Sequence, residues 1–584
     1  MRTFVTTWLI LLALPLCAQP SLLTPYEKGD GNHTPRLAET LSFCRELTAA
    51  SPMVSLTSIG ASPQGREIPM LIVDKDGLRT PQAIRNKGRA VVLIEACIHA
   101  GEPDGKDAGL MLLRDMVCEG KYRELLDQVS ILFLPIFNVD GHEDFSAFKR
   151  INQNGPEELG NRNTAQRINL NRDFLKADAP EMRHWVKMYN EWMPELFIDV
   201  HVTNGADFQY VSTYGIEDCG FMDPSLIQWN REVFDPQLNA RMEADGYPIF
   251  PYFGFVRRDQ PESGVILESF PPQYSTGYAA VQNRIGLLVE NHIYKPYPQR
   301  VDATYRLLYH SIALIAENRS TLQGLIFQAD RYTASSDFRR EPLTLNYTPA
   351  RTDSIPCIFL GWERITETSE LSGAPWTRHD YTAPISIATH RYTSYKKEAE
   401  VKLPHAYIFP PELDFLTELL KLHKIEYKTL SKDDSLMVES YRFTGGEWSR
   451  FPNETHITVK TQYSTQTEKV FMPQGSIIVS MDQPRAKLVA HILEPDGPTS
   501  MVFWGFFNSY IRPATEFWIS LNYMEVKGRE MMAKDPALKQ EFEAKKASDP
   551  EFASNPQAIL QFFLTKVRKN VEPYANMYPV VKQY

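Results

Sequence analysis

The stretch "VVLIEACIHAGEPDGKDAGL", residues 91–110, decides how the fold is read. It is apolar from Val91 to Ile94, breaks at "HAGEP", and resumes as the amphipathic "KDAGLMLLRDMV" from residue 106. A near-continuous apolar run that stops at Gly and Pro and leads into a helix is a strand buried on both faces. The same grammar recurs in "VSILFLPIFNVDG" (129–141), "ELFIDVHVTNG" (195–205) and "GLLVENH" (286–292), with "ATYRLLYHSIALIAENR" (303–319) as a closing helix. The pattern predicts an α/β fold: a mostly parallel, mixed central sheet with helices on both faces.

Working outward, 584 residues are too many for one hydrophobic core, so two or three domains are expected. The formal net charge of -10 argues against a nucleic-acid partner. The start, "MRTFVTTWLILLALPLCAQP", has a basic residue, an apolar run from Trp8 to Leu16 and a small-residue cleavage site, which reads as a secretory leader over residues 1–18. An exported protein, periplasmic or extracellular, is therefore expected. Once the leader is removed, no segment is long and apolar enough for a transmembrane helix. Without Cys17, the cysteines are Cys44, Cys97, Cys118, Cys219 and Cys357, widely spaced and without a Cys-x-x-Cys pair. That count supports neither a disulfide framework nor a thiolate metal site.

The catalytic-looking pattern is expected to fill residues 19–325, followed by an accessory region over 326–584. In the latter, "HAYIFP" (405–410), "ELDFLTELLKLH" and "IEYKTL" read as strand, helix, strand. "THITVKTQY" and "GSIIVSMDQ" alternate as half-buried strands do. This second, α/β to β-rich region offers no defensible cluster of ligands or nucleophiles.

The chemistry gathers at strand ends. His99 and Glu102 follow the first strand, so a turn there can aim both at one point, and His201 ends the strand 195–205. In open α/β sheets sites collect at the carboxyl ends of strands, and two histidines with a glutamate form one known zinc ligand set that leaves a position open for water. Asn171 and Arg172, in "INLNRDF" (168–174), suit a carboxylate, because the guanidinium fork matches two oxygens. Glu290, ending the run "RIGLLVENH", is a candidate to take a proton from a water held beside the metal.

Taken in order, His99-Ala-Gly-Glu102, Asn171-Arg172, His201 and Glu290 resemble the zinc metallocarboxypeptidases of the carboxypeptidase A type, and "NVDG" at 138–141 is similar to that family's Asn-Pro-Asp-Gly turn. The resemblance covers about residues 35 to 320. More loosely, "MDQPRAKLVAHILEPDGP" and "FWGFFN" resemble the trailing domain of large bacterial secreted members. It implies one Zn²⁺ per chain on His99, Glu102 and His201, Glu290 as the base, and Asn171 and Arg172 as the grip on a terminal carboxylate. The expected activity is hydrolysis of the last peptide bond of peptides or proteins with free C-termini.

Three positions depart from the family pattern. Gly101 stands where an Arg is common, and Asn169 stands where an acidic residue orients a ligand histidine; an amide oxygen can accept the same imidazole hydrogen bond without charge. In "KRINQNGP" (149–156), Arg150 matches the first Arg of an Arg-x-Trp-Arg-like stretch, while Gln153 falls where the oxyanion-stabilising Arg belongs. Losing such a donor costs on the order of a hundredfold in rate, so either Arg150 reaches the site or the charge is carried otherwise. Tyr274 and Tyr278 are both candidates to cap the substrate. Arg257 and Arg258 are considered for the pocket floor, with a solvated loop as the plainer reading. Two other functions stay open on sequence alone: a zinc amidohydrolase acting on acylated amino acids or cell-wall peptides, and a catalytically silent binding module, suggested by Gln153.

Overall fold

The computed structural model describes residues 22–205, 207–511, 521–571 and 576–584; the leader read over residues 1–18 lies outside them. Ten strands come first in the chain: β1 (Val54–Ala61), β2 (Glu67–Val73), β3 (Ala90–Ala96), β4 (Val129–Leu134), β5 (Leu196–Thr203), β6 (Ser212–Ile216), β7 (Phe250–Pro251), β8 (Gly254–Arg257), β9 (Gln260–Ile266) and β10 (Ile285–His292). Eight of them form one sheet in the order β1-β2-β4-β3-β5-β10-β6-β7. The middle is parallel (β4-β3, β3-β5 and β5-β10), and antiparallel pairs flank it, so the sheet is mixed as the sequence predicts. Every residue of β3 and β4 is buried, which is what unbroken apolar runs require of central strands.

Helices cover the sheet. α1 (Asp104–Arg114) lies close against it: a Cβ on Gly105 would meet Val200 at 2.6 Å, and one on Gly109 would meet Phe133 at 2.5 Å. α2 (Pro180–Trp192) and the short α3 (Ser275–Ala280) follow. α4 (Tyr297–Thr333) is a single helix of 37 residues, longer than the closing helix the sequence suggests. The expected boundary between residues 325 and 326 falls inside it; the change of architecture comes after its end.

Beyond α4 the chain forms a hairpin of β11 (Leu343–Thr368) and β12 (Pro375–Val401), joined to β8 and β9 in a four-stranded sheet. Nothing in the sequence reading anticipates it. Both faces of the hairpin are largely half-buried or exposed, so it carries no apolar alternation to read. A six-stranded sheet follows, built from β13 (Ala406–Phe409), β14 (Lys428–Thr429), β15 (Asp434–Trp448), β16 (Val459–Met472), β17 (Ile477–Ser480) and β18 (Val581–Gln583). It packs with α5 (Asp414–Leu422) and α6 (Ala486–Leu493). The strand–helix–strand unit expected over 405–430 is present, although its second strand is only Lys428–Thr429. One continuous apolar core runs from Phe43 and Leu93 to Leu416, Val489 and Val580. The five described cysteines are all free, and no helix among the described residues is long and apolar enough to cross a membrane.

Candidate metal and peptide site

β3, β5 and β10 lie side by side and present their carboxyl ends to one cavity of about 640 Å³. After β3 the chain turns at Cys97, whose φ of 58° is left-handed, and this swings His99 and Glu102 over the strand ends. His201 on β5 pairs in register with Glu290 on β10, so both side chains project from the same face of the sheet.

His99, Glu102 and His201 come together, all three buried, with their ligating atoms within 4.8 Å of one another. His99 Nδ1 lies 3.2 Å from Glu102 Oε1, and His201 Nδ1 lies 3.1 Å from both Glu102 Oε2 and His99 Nδ1. The outer nitrogens are held from behind. His99 Nε2 is 3.0 Å from Asn169 Oδ1, and His201 Nε2 is 2.7 Å from Asp199 Oδ2. Asn169 Oδ1 also accepts the Asn171 N–H at 3.1 Å, which fixes it as the oxygen. Both acceptors therefore take Nε2 hydrogens and leave the two Nδ1 atoms facing inward. Two imidazole nitrogens and a carboxylate so arranged form a donor set that protons or a cation must neutralise, and the set fits zinc.

The electrostatics agree. Burial would depress His201, but Asp199 and Glu102 outweigh it and hold its pKa well above the ordinary value. Burial would raise Glu102, yet His99, Arg150 and His201 hold it well below the usual carboxylate range. Burial lowers His99 to about 4 against the pull of Glu102. Burial pushes Glu290 up to about 8, with Glu102 and Asp199 adding to the rise. Behind His201, Glu95 pairs in register with Asp199 and is fully buried; burial and then Asp199 hold it well above its usual range.

The structure also places the substrate candidates. Asn171 and Arg172 line the cavity, and the Arg172 guanidinium carbon stands 4.4 Å from the centre of the Tyr274 ring. Tyr274 lines the cavity too, whereas Tyr278 is fully buried, with its hydroxyl bonded to Asn190 and His423 at 2.8 Å each. Of the two tyrosines only Tyr274 can meet a substrate. Arg150 reaches the site but is engaged: Nη1 donates to Glu102 Oε1 at 2.7 Å, Nη2 to Val202 O at 3.0 Å, and Nε to Gln153 Oε1 at 2.7 Å. A Cβ on Gly101 would lie 2.6 Å from Arg150 Cδ, so Arg150 occupies the room that a larger side chain at 101 would need. Gln153 is buried beneath Arg150, donates to Gly101 O at 3.2 Å and does not line the cavity. Arg257 and Arg258 do not line it either, and the Arg258 side chain is 95% exposed.

Sequence reasoning misses several residues. Arg162 enters the cavity with Nη1 3.2 Å from His99 Nδ1 and 3.5 Å from Glu102 Oε1. It sits in an irregular loop where no periodicity marks it. Asp199 was findable: it lies two before His201 on a strand, hence on the same face. Glu268 joins Tyr252, Phe270 and Leu288 on another wall of the cavity. Residues beyond the long helix α4 contribute as well. Glu454 accepts the Asn169 N–H at 3.1 Å, His456 Nε2 lies 2.7 Å from Asp178 Oδ2, and His423 Nε2 donates to Leu175 O at 2.9 Å.

Residues 40–206 match the family model described as zinc carboxypeptidase. No curated protein matches the chain. Among solved structures, the carboxypeptidase A of Helicoverpa armigera is 16% identical with a TM-score of 0.37, over 50% of this chain and 75% of that one. A metallo-carboxypeptidase from Pseudomonas aeruginosa, solved with (2-guanidinoethylmercapto)succinic acid, is 16% identical with a TM-score of 0.37, over 49% and 69%. One from Burkholderia cenocepacia is 16% identical with a TM-score of 0.35, over 49% and 70%. Likeness this low carries no function by itself.

Proposed function

We propose that this chain, which matches the zinc carboxypeptidase family model over residues 40–206, is an exported exopeptidase that hydrolyses the C-terminal peptide bond of peptides. The observation that carries this reading is one cavity holding the His99–Glu102–His201 donor set, the Glu290 carboxyl and the Asn171–Arg172 pair.

His99 Nδ1, Glu102 and His201 Nδ1 would hold Zn²⁺, which supplies Lewis acidity toward the scissile carbonyl and the attacking water. Arg172 pairs with the terminal carboxylate through its guanidinium fork, and Asn171 adds a side-chain amide. Tyr274 packs against the Arg172 guanidinium and keeps it in place. The grip makes the reaction terminal, because only a chain end supplies that anion. Glu290 takes a proton from the water as its oxygen bonds to the carbonyl carbon. It then delivers the proton to the amide nitrogen as the C–N bond breaks, which returns the carboxylate to its starting state. Arg162, facing the donor set, donates to the carbonyl oxygen as negative charge develops there, the task that Gln153 cannot perform. Arg150 holds Glu102 and thereby the ligand geometry.

The test uses purified protein and paired peptides with free and amidated C-termini, followed by mass spectrometry with and without a zinc chelator. Chelator-sensitive loss of single residues from free ends alone is expected. Equal cleavage of amidated peptides would remove the carboxylate grip and favour an amidohydrolase. No cleavage of any peptide by the zinc-loaded protein would leave the silent binding module.

A further inference from the structure

A second cavity, of about 750 Å³, opens beside the first. The two share Asn152 and Asn204 in their walls, whereas Asn171, Arg172 and Tyr274 line only the first. One part of its wall is aromatic, with Phe255 of β8, Tyr294 beyond β10, and Phe359 and Trp362 of the β11–β12 hairpin, and the rest is polar, with Arg258 and Arg364 among it. That hairpin lies outside the residues matched to the family, yet it is fastened to the catalytic body. Gln209 donates through its N–H to Leu360 O at 3.1 Å and through its side chain to Gly361 O at 2.6 Å, and Tyr210 OH accepts the Leu360 N–H at 3.1 Å.

The direction of the chain follows from the grip. A peptide whose C-terminus rests on Arg172 must leave the active cavity by another side. β5 itself marks a path, since Asn204 is three residues past His201, about 10 Å at the rise of an extended chain. A substrate residue two to four positions upstream of the cut bond reaches the shared wall over that span. The rim is apolar where such a chain would cross it: Phe148 and Ile151 line the active cavity and are 83% and 81% exposed. Tyr294, 44% exposed, stands at the far side. Aromatic groups around an extended polypeptide suit apolar side chains.

We propose that this second cavity, built by the β11–β12 hairpin, binds the part of the substrate upstream of the cut bond, so that the enzyme acts on peptides of four or more residues with an apolar side chain in that part. The inference rests on the carboxypeptidase reading above and adds the substrate class to it.

The experiment measures kcat/KM for a series from an N-acylated dipeptide to a hexapeptide, all with the same last two residues. The expected result is a rise of about tenfold with length that levels off near five residues. Glycines in the upstream positions of the hexapeptide abolish most of the gain without any change to the protein. Tyr294→Ala, at a side chain whose ring meets that of His292, removes most of the gain while leaving the dipeptide within about a factor of two. Flat kcat/KM across the series, or a Tyr294→Ala effect equal on dipeptide and hexapeptide, overturns the inference and leaves the exopeptidase reading standing. Absence of cleavage at every length overturns both.

Discussion

The backbone N–H of Asn169 donates to the carboxylate of Glu454 at 3.1 Å, across 285 residues of sequence. Asn169 in turn holds His99 through its side chain. Four residues beyond Arg172, Lys176 is bound to Asp173 and Asp178 and stands 5.2 Å from the centre of the Trp504 ring, while His456 meets Asp178. The segment that holds His99 and carries Asn171 and Arg172 is thus clamped by residues from the later part of the chain. Residues of this kind, behind a ligand, commonly alter metal affinity by ten- to a hundredfold. Glu454→Ala combined with His456→Ala is expected to weaken zinc binding by about tenfold with little change in far-ultraviolet circular dichroism. Competition with a fluorescent zinc chelator measures this, and an unchanged affinity would refute the clamp.

Arg162 stands 3.5 Å from Glu102 Oε1, where Arg150 is bound to the same oxygen at 2.7 Å. Arg162→Ala is expected to lower kcat by about a hundredfold while KM moves by much less, because the lost donor acts when charge develops on the carbonyl oxygen. Steady-state kinetics on a free-ended peptide decides it. A change confined to KM would assign Arg162 to ground-state binding instead.

The wall formed by Tyr252, Glu268, Phe270 and Leu288 combines apolar surface with one carboxylate. Leu288 lies two residues before Glu290 on β10 and so shares its face. A wall of that composition suits a lysine or arginine, whose stem packs while its charged head is paired. C-terminal Lys and Arg should be released about tenfold or more faster than C-terminal Asp and Glu, and Glu268→Gln should shrink that ratio. A competition assay on a mixed peptide set, read by mass spectrometry, would expose the opposite ranking.

Glu217 is buried and accepts hydrogen bonds from the Cys219 thiol and the Phe270 N–H, yet burial pushes its pKa up to about 8, with Asp218 adding to the rise. The folded form thus keeps a proton that the unfolded chain releases near 4.5. Its contribution to stability is complete below about 4.5 and is lost as pH rises to about 8. Glu217→Gln keeps the shape and removes the titration. The fall in thermal midpoint between pH 5 and pH 8 should therefore be smaller in the variant. An unchanged pH slope would show that Glu217 is ionised in the folded protein.

The central sheet and the residues of the candidate site were legible because burial on both faces writes unbroken apolar runs, and because polar residues at strand ends interrupt those runs visibly, as His99 and Glu102 do after Ala96. Glu290 and His201 were readable for the same reason. Arg162 was not, since an irregular loop has no period and its ten-residue distance from Arg172 could place it anywhere. Arg150 and Gln153 were found but could not be assigned, because their roles depend on the space left by Gly101, a fact of packing rather than of order. The hairpin β11–β12 escaped for want of a buried face. Glu454 and His456 escaped because contacts between distant segments leave no local trace.

The shared core has a consequence for how the molecule comes apart. Phe43, Leu93, Leu416, Val489 and Val580 belong to one apolar cluster, so the two regions of the chain melt as a single cooperative unit rather than as beads on a string. Calorimetry should give one transition. A chain cut after Thr333 would keep His99, Glu102, His201 and Glu290, but it would expose the apolar surface on which Leu416 and Val489 now rest. Such a fragment is expected to aggregate, and cleavage of the connection is expected to abolish activity at a distance from the candidate site.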